Sequence, residues 1–243
     1  MPVHNLRVSG SNLPLQPILM KQNRNLIYAE KHNKFFDKIV LKKRLEIVKI
    51  INNEIEKEII HDVLDIGTTS DKDNESSNII VKSIKNIKNF KCISDQYVES
   101  DFFHKKLRKS ITGELSEKEV EEFSSDLVIS NATIEHVGGF LNQRKMLENI
   151  IKLSKKKFII TTPNRFHPLE FHTKIPLIHW FPKSIHRKIL RIVGLSFYAK
   201  EENLNLLSEN ELIKILIGQK IVYSIKYIKL LFFKSNLIII GEK

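Results

Sequence analysis

Three short apolar runs, each stopping at a polar turn, limit what this chain can fold into. The first, His61-Asp-Val-Leu-Asp-Ile66, passes straight into Gly67-Thr-Thr-Ser-Asp71. The second, Asp126-Leu-Val-Ile-Ser130, leads into Asn131-Ala-Thr-Ile-Glu-His-Val137. The third, Lys157-Phe-Ile-Ile-Thr-Thr162, ends at Pro163-Asn164. A strand that is apolar at consecutive positions is buried on both faces, and such strands belong to parallel sheets covered by helices. Their carboxyl ends then lie along one edge, where open α/β sheets bind ligands.

The rest of the chain fits that frame. Residues 1–25 contain Pro2, Pro14 and Pro17 and little periodicity, which predicts an irregular arm. From about 28 to 58, Phe36, Val40, Ile47, Ile51 and Ile55 recur on one helical face. After the 62–66 strand, residues 76–87 read as a helix through Ile79, Ile80, Ile84 and Ile87. Phe90–Ser94 is a short strand ending at Asp95, and Lys109–Gly113 is read as another, ending at Glu114. Residues 97–108 fit no pattern, and Glu117–Phe123 is a polar loop or helical turn. A helix over about 140–154 separates the 126–130 and 157–162 strands.

Residues 163–200 break the alternation. They carry four prolines, the sole tryptophan (Trp180) and four of the nine histidines. A connection of that length is longer than an αβ loop needs and points to function. Ser208-Glu-Asn-Glu211 is a capping box that starts a helix. Strands at about 220–228 and 231–240 close the chain as an antiparallel pair. The expected fold is α/β: a Rossmann-like, doubly wound, mostly parallel sheet with a C-terminal antiparallel hairpin, an N-terminal helical extension and a lid-like insertion after strand five. One domain, 1–243, is expected. It comprises an arm and helix (1–60), a core (61–162), a substrate-side insertion (163–207) and a C-terminal helix and hairpin (208–243).

Composition narrows the setting. No apolar run approaches a membrane span, and the N-terminus lacks a signal-peptide core. With the single cysteine, Cys92, this predicts a cytoplasmic protein. The net charge of +12 invites an anionic partner. Lysine, isoleucine and asparagine are abundant throughout, however, so the charge reads as a compositional drift and no nucleic-acid partner is expected.

Val63-Leu-Asp-Ile-Gly67, Asp126-Leu-Val-Ile-Ser130 and Ile134-Glu-His-Val137, in that order, resemble the class I S-adenosylmethionine-dependent methyltransferases of the type 11 kind. Thr161-Thr-Pro-Asn-Arg165, His167-Pro-Leu-Glu-Phe-His-Thr173, Pro176–Trp180 and Glu202–Leu207 resemble a bacterial branch associated with cell-surface polysaccharide synthesis. The resemblance spans residues 60 to 218 and specifies fold and cofactor better than substrate. It implies S-adenosylmethionine as cofactor, with Asp65, Gly67, Thr68 and Thr69 forming the first binding turn. Thr69 and Asp71 stand where the family has further glycines. It implies Asp95 as the acid that accepts the ribose hydroxyls, Glu114 as the group near the adenine, and Ser130 and Asn131 on the sulfonium side. A carboxylate suits ribose because it only accepts hydrogen bonds.

The acceptor implied is a small molecule or glycan, most readily an oxygen of a sugar or cell-envelope intermediate. Peripheral contact with a membrane surface stays open. A hydroxyl acceptor calls for a base, and His136, His167 and His172 are the candidates, histidine titrating near neutrality. The competing role for each is to order its own loop. His167-Pro-Leu-Glu-Phe-His172 is one residue longer than the inverted zinc motif. Pro168, Pro176 and Pro182 interrupt any helix that would align His179 and His186 with it, so no metal is expected. Two other readings remain: an inactive methyltransferase-fold binding protein, for which the altered first turn speaks, and a nucleic-acid methyltransferase. Strand four ends in Ser-Asn-Ala-Thr rather than the Asn/Asp-Pro-Pro-aromatic signature of base methylation, which disfavours the latter.

Overall fold

The computed structural model describes residues 34–70 and 77–243, with side chains from Phe36 onward. The expected irregular arm at 1–25 and Asp71 lie outside the described residues. The chain divides into Met1–Asp37 and Lys38–Lys243, and the architecture below is that of the second unit.

Seven strands form one sheet: β1 (Asp62–Ile66), β2 (Asn89–Ser94), β3 (Lys105–Arg108), β4 (Ser125–Asn131), β5 (Ser154–Pro163), β6 (Val222–Leu230) and β7 (Phe233–Glu242). Their spatial order is β3-β2-β1-β4-β5-β7-β6. The first five strands pair in parallel, and β7 runs antiparallel to both β5 and β6. The order reverses between β1 and β4, so the carboxyl ends of these neighbours bound the crevice where such sheets take their ligands.

Alternation along the strands builds two cores. Leu64, Ile66, Val128, Phe158, Leu237 and Ile239 face one side. There they pack on helices α3 (Glu117–Phe123), α4 (Phe140–Leu153) and α6 (Glu209–Leu216) through Phe123, Met146, Ile150 and Leu212. Val63, Leu127, Ile129, Ile159, Ile238 and Ile240 face the other side. There they meet Ile47 and Ile51 of α1 (Lys34–Ile55) and Ile80 and Val81 of α2 (Ile79–Lys82). Both faces are covered, which is why these strands read as unbroken apolar runs.

Two elements differ from the sequence reading. The helix expected over 76–87 is a single turn at Ile79–Lys82. Asn78 and Asn86, on either side of it, hold positive φ, and the β-branched isoleucines lower helix propensity. The strand expected at Lys109–Gly113 lies instead at Lys105–Arg108. It is an edge strand whose side chains are largely exposed, so no apolar signal marks it. Glu117–Phe123 resolves as a helix through a second capping box: Ser116 Oγ accepts from Glu119 N–H, and Glu119 accepts from Ser116 N–H. Among the described residues no helix is long and apolar enough to cross a membrane.

The insertion after β5 is bolted back onto the core. It contains a 3-10 turn at Ile178–Trp180 and helix α5 (Lys183–Ile192). Its two ends meet where Asn164 bridges Leu207. Asn205 N–H donates to the Glu135 carbonyl at 2.7 Å, and its amide donates to the Gly138 carbonyl at 2.9 Å. Gln143 of α4 closes the joint by donating to the carbonyls of Ile134 and Asn205.

Candidate functional site

Strand β1 ends in a turn that glycine makes possible. Gly67 has φ +85°, and a Cβ there would overlap the side chain of Thr133. The turn after β1 and the turn after β4 therefore pack directly on one another. Ser130 Oγ and Thr133 Oγ1 both donate to the Ile66 carbonyl, at 3.0 and 3.3 Å. Ser130 is thus a buried tie between strands, and Asn131 is held by Thr161, whose hydroxyl donates to its Oδ1 at 2.6 Å.

Asp65 is 7% exposed and accepts the Thr68 hydroxyl at 2.6 Å. Burial pushes its carboxyl up to about 6, against the pull of that hydrogen bond. The following residues are strapped to their surroundings. Thr69 exchanges two hydrogen bonds with the Asn78 side chain, at 3.1 and 2.9 Å. Ser70 donates through N–H and Oγ to Gln96 Oε1, and Ser94 Oγ donates to the Thr68 carbonyl at 2.7 Å. Thr69, which stands where the resemblance predicts a glycine, lies in a turn ordered by Asn78, Ser94 and Gln96. Asp95 follows β2 directly and is exposed, at the same edge. Glu114 is also exposed but comes six residues beyond the end of β3, past a turn, rather than at a strand end.

The end of β4 and the insertion assemble a second group. Glu135 is fully buried: its Oε2 accepts from Thr162 Oγ1 at 2.9 Å, while Oε1 has no hydrogen-bond partner among the described residues. Burial drives its carboxyl up to about 7. His136 places Nδ1 2.6 Å from the Asn203 carbonyl, and burial holds its ring at about 3, so the imidazole is neutral. A carbonyl only accepts, so Nδ1 carries the hydrogen and Nε2 the lone pair. The His172 ring stands edge-on to His136, with centroids 4.9 Å apart.

Glu170, buried beneath His172, touches His172 Nδ1 at 2.6 Å and accepts the N–H groups of His172 and Thr173 at 2.8 and 2.6 Å. Burial opposes its ionisation, yet the His172 charge and these bonds hold its carboxyl down at about 2.

Of the three candidate histidines, the structure brings His136 and His172 together. His167 is buried elsewhere in the insertion, with Nδ1 at 2.8 Å from the Leu169 carbonyl and its own carbonyl accepting from His179 Nε2 at 2.6 Å. Those bonds order the loop. Glu135, Thr162, Asn203 and Asn205 lie inside the motifs that carry the resemblance but were not among the candidate site residues. The two threonines ending β5 and the Asn203-Leu-Asn205 alternation were the available signals. Thr162 meets the turn after β4 across 27 residues and the two asparagines meet it across about seventy, which no local pattern records.

No protein-family model matches the sequence, and no curated protein matches it. Solved structures do match in fold. Magnesium protoporphyrin IX methyltransferase (ChlM) from Synechocystis PCC 6803 with bound SAH aligns over 93% of this chain and 94% of its own, with TM-score 0.54 and 11% identity. N-methyltransferase NodS from Bradyrhizobium japonicum WM9, in complex with S-adenosyl-L-homocysteine, covers 92% of this chain and 97% of its own, with TM-score 0.53 and 9% identity. The sheet order, the parallel core and the antiparallel C-terminal hairpin are therefore those of the Rossmann-like methyltransferase fold.

Proposed function

We propose that this protein is an S-adenosylmethionine-dependent methyltransferase whose acceptor is an oxygen of a sugar or cell-envelope intermediate. The observation that carries the reading is the polar edge at the β1/β4 switch point of a methyltransferase fold. There the Asp65–Ser70 turn, Asp95 and the Asn131–His136 segment stand side by side.

The donor and acceptor set fits the cofactor. Asp95, an exposed carboxylate after β2, suits two ribose hydroxyls, and the Asp65–Ser70 turn would line the amino-acid end of the cofactor. Asp65 fixes the turn by accepting from Thr68. Ser130 and Asn131 shape the wall next to the transferred group, and Glu114 is assigned to the adenine side. When bound, S-adenosylmethionine supplies a methyl group on a sulfonium, so the carbon–sulfur bond breaks as the carbon–oxygen bond forms.

Positioning is the main task left to the chain, and orientation alone supplies roughly 7–11 kcal/mol. The acceptor hydroxyl must also lose its proton. His136 and His172 face one another at the site, and Glu170 orients His172 as a third group orients a general base. His167 acts by holding the loop that carries Glu170 and His172.

One observation favours the alternative, a methyltransferase-fold binding protein: the Thr69 and Ser70 amides are already engaged by Asn78 and Gln96. The discriminating experiment is transfer of a labelled methyl group from S-adenosylmethionine to a panel of nucleotide sugars, lipid-linked sugars, free glycans and RNA. Labelling of a sugar-containing acceptor that His172→Ala abolishes is the expected result. Labelling of RNA alone would contradict the acceptor, and no labelling by a folded protein that also fails to bind the cofactor would favour the binding protein.

A further inference from the structure

We propose that Glu135, His136 and His172 bind one divalent first-row transition-metal ion at the β4/β5 end of the sheet. One ligand atom from each lies within 4.8 Å of the other two. Glu135 is the strongest sign. Its carboxylate is 0% exposed, Thr162 binds one oxygen, and the other has no hydrogen-bond partner among the described residues. A buried carboxylate oxygen left so is costly, and a cation is what would offset it. That oxygen is 4.0 Å from His136 Nε2.

Both histidines are oriented as metal ligands are. His136 commits Nδ1–H to the Asn203 carbonyl, which turns its Nε2 lone pair toward Glu135. His172 has Nδ1 on Glu170, and a carboxylate behind a ligating imidazole fixes ring and tautomer and raises its basicity. Two imidazoles and one carboxylate suit Zn²⁺, Mn²⁺ or Fe²⁺ with a coordination position left open, whereas Mg²⁺ prefers oxygen alone. Metal–ligand bonds of about 2.1 Å bring tetrahedral ligands to about 3.4 Å from each other. Binding therefore draws the three groups together, with His172 moving on its loop. The proposal departs from the sequence expectation of no metal, which weighed His172 with His167, Glu170, His179 and His186 and not with Glu135 and His136. This cluster needs Glu135 and His136 from the turn after β4, which only the folded chain sets beside His172.

The role of such an ion rests on the methyltransferase reading: it would hold the acceptor oxygen and make its hydroxyl more acidic, and this would replace general-base action by His136 and His172, whose lone pairs the ion would occupy. Its existence does not rest on it, so the test uses neither cofactor nor turnover. Chelator-treated full-length protein is titrated calorimetrically with Zn²⁺ and with Mn²⁺, and Co²⁺ absorption is recorded in parallel. The expected result is one ion per chain. Affinity should fall beyond about 100-fold in Glu135→Gln and His172→Ala, and by about 10–100-fold in Glu170→Ala. It should be unchanged in His61→Ala, at the opposite end of β1. Glu135→Gln keeps the side chain's size and an acceptor for Thr162, and circular dichroism verifies its fold. Wild-type protein that binds neither ion, or binding that survives both ligand substitutions in folded protein, overturns the proposal. Either outcome leaves the cofactor reading to be judged separately.

Discussion

Asp62 and Asp65 sit three residues apart in one five-residue strand, and the protein treats them in opposite ways. At the amino end of β1, Asp62 accepts the Asp126 N–H at 2.8 Å and Lys91 Nζ at 2.9 Å, with Lys155 Nζ at 3.9 Å. Burial opposes its ionisation, yet these partners together hold its carboxyl below the usual range. Asp126 returns the tie by accepting His61 N–H at 2.9 Å. At the carboxyl end, Asp65 has a hydroxyl where Asp62 has lysine and backbone N–H, and burial wins. One end of the sheet is stapled shut by saturated ion pairs. The other buries Asp65 and Glu135 against the Thr68 and Thr162 hydroxyls, burial raises both carboxyls, and that is the end where function is expected.

The largest effect should come from the turn that separates the two behaviours. Gly67→Ala introduces a side chain at φ +85° and into Thr133, and should destabilise the protein by about 2–5 kcal/mol in urea denaturation. A loss below about 1 kcal/mol would mean the two turns are not locked together.

Asp65→Asn sharpens the contrast through pH. The folded state keeps the Asp65 proton up to about 6, against a reference of 3.8, so wild-type stability falls as pH rises across that window. The variant has nothing to titrate there. It should therefore be more stable than wild type at pH 8, by about 3 kcal/mol at most, with the advantage gone near pH 3. Denaturation curves at the two pH values read the difference, and a constant difference would remove Asp65 as its source.

Asp62→Ala should act in the reverse sense. The stability Asp62 contributes is present above its unfolded pKa and is lost as pH falls through its lowered folded one. The substitution should cost about 2 kcal/mol near neutrality and progressively less in acid. A uniform cost from neutral to acid would show that packing, not charge, is what Asp62 provides. Smallest of all, Thr68→Val removes the hydroxyl on Asp65 and should cost about 1 kcal/mol. It should also move the Asp65 midpoint higher still, readable by carboxyl NMR titration, and a midpoint that fell instead would break the assignment.

The same contrast explains what could be read from sequence. β1, β4, β5 and β7 announce themselves because burial on the sheet faces leaves apolar runs, and α6 because Ser208 and Glu211 spell a capping box. β3 does not, since an edge strand of Lys105-Lys-Leu-Arg108 carries no such demand. The positions of Asp65, Gly67 and Asp95 at the carboxyl edge were legible because they lie at the ends of β1 and β2. The Glu135–His136–Glu170–His172 group was not legible as a group. Its geometry depends on Asn203 and Asn205 clasping the insertion to the turn after β4, a joint between distant segments. Thr162, which binds one Glu135 oxygen while the other has no hydrogen-bond partner among the described residues, belongs to a strand whose sequence reads simply as buried.

Calorimetric titration of S-adenosylmethionine and S-adenosylhomocysteine into wild-type, Asp65→Ala and Asp62→Ala proteins tests the central claim most directly. The account predicts micromolar binding by wild type, comparable binding by the folded Asp62→Ala variant, and a loss of at least about tenfold in Asp65→Ala. A folded wild-type protein that binds neither compound, or equal losses at the two aspartates, would contradict it.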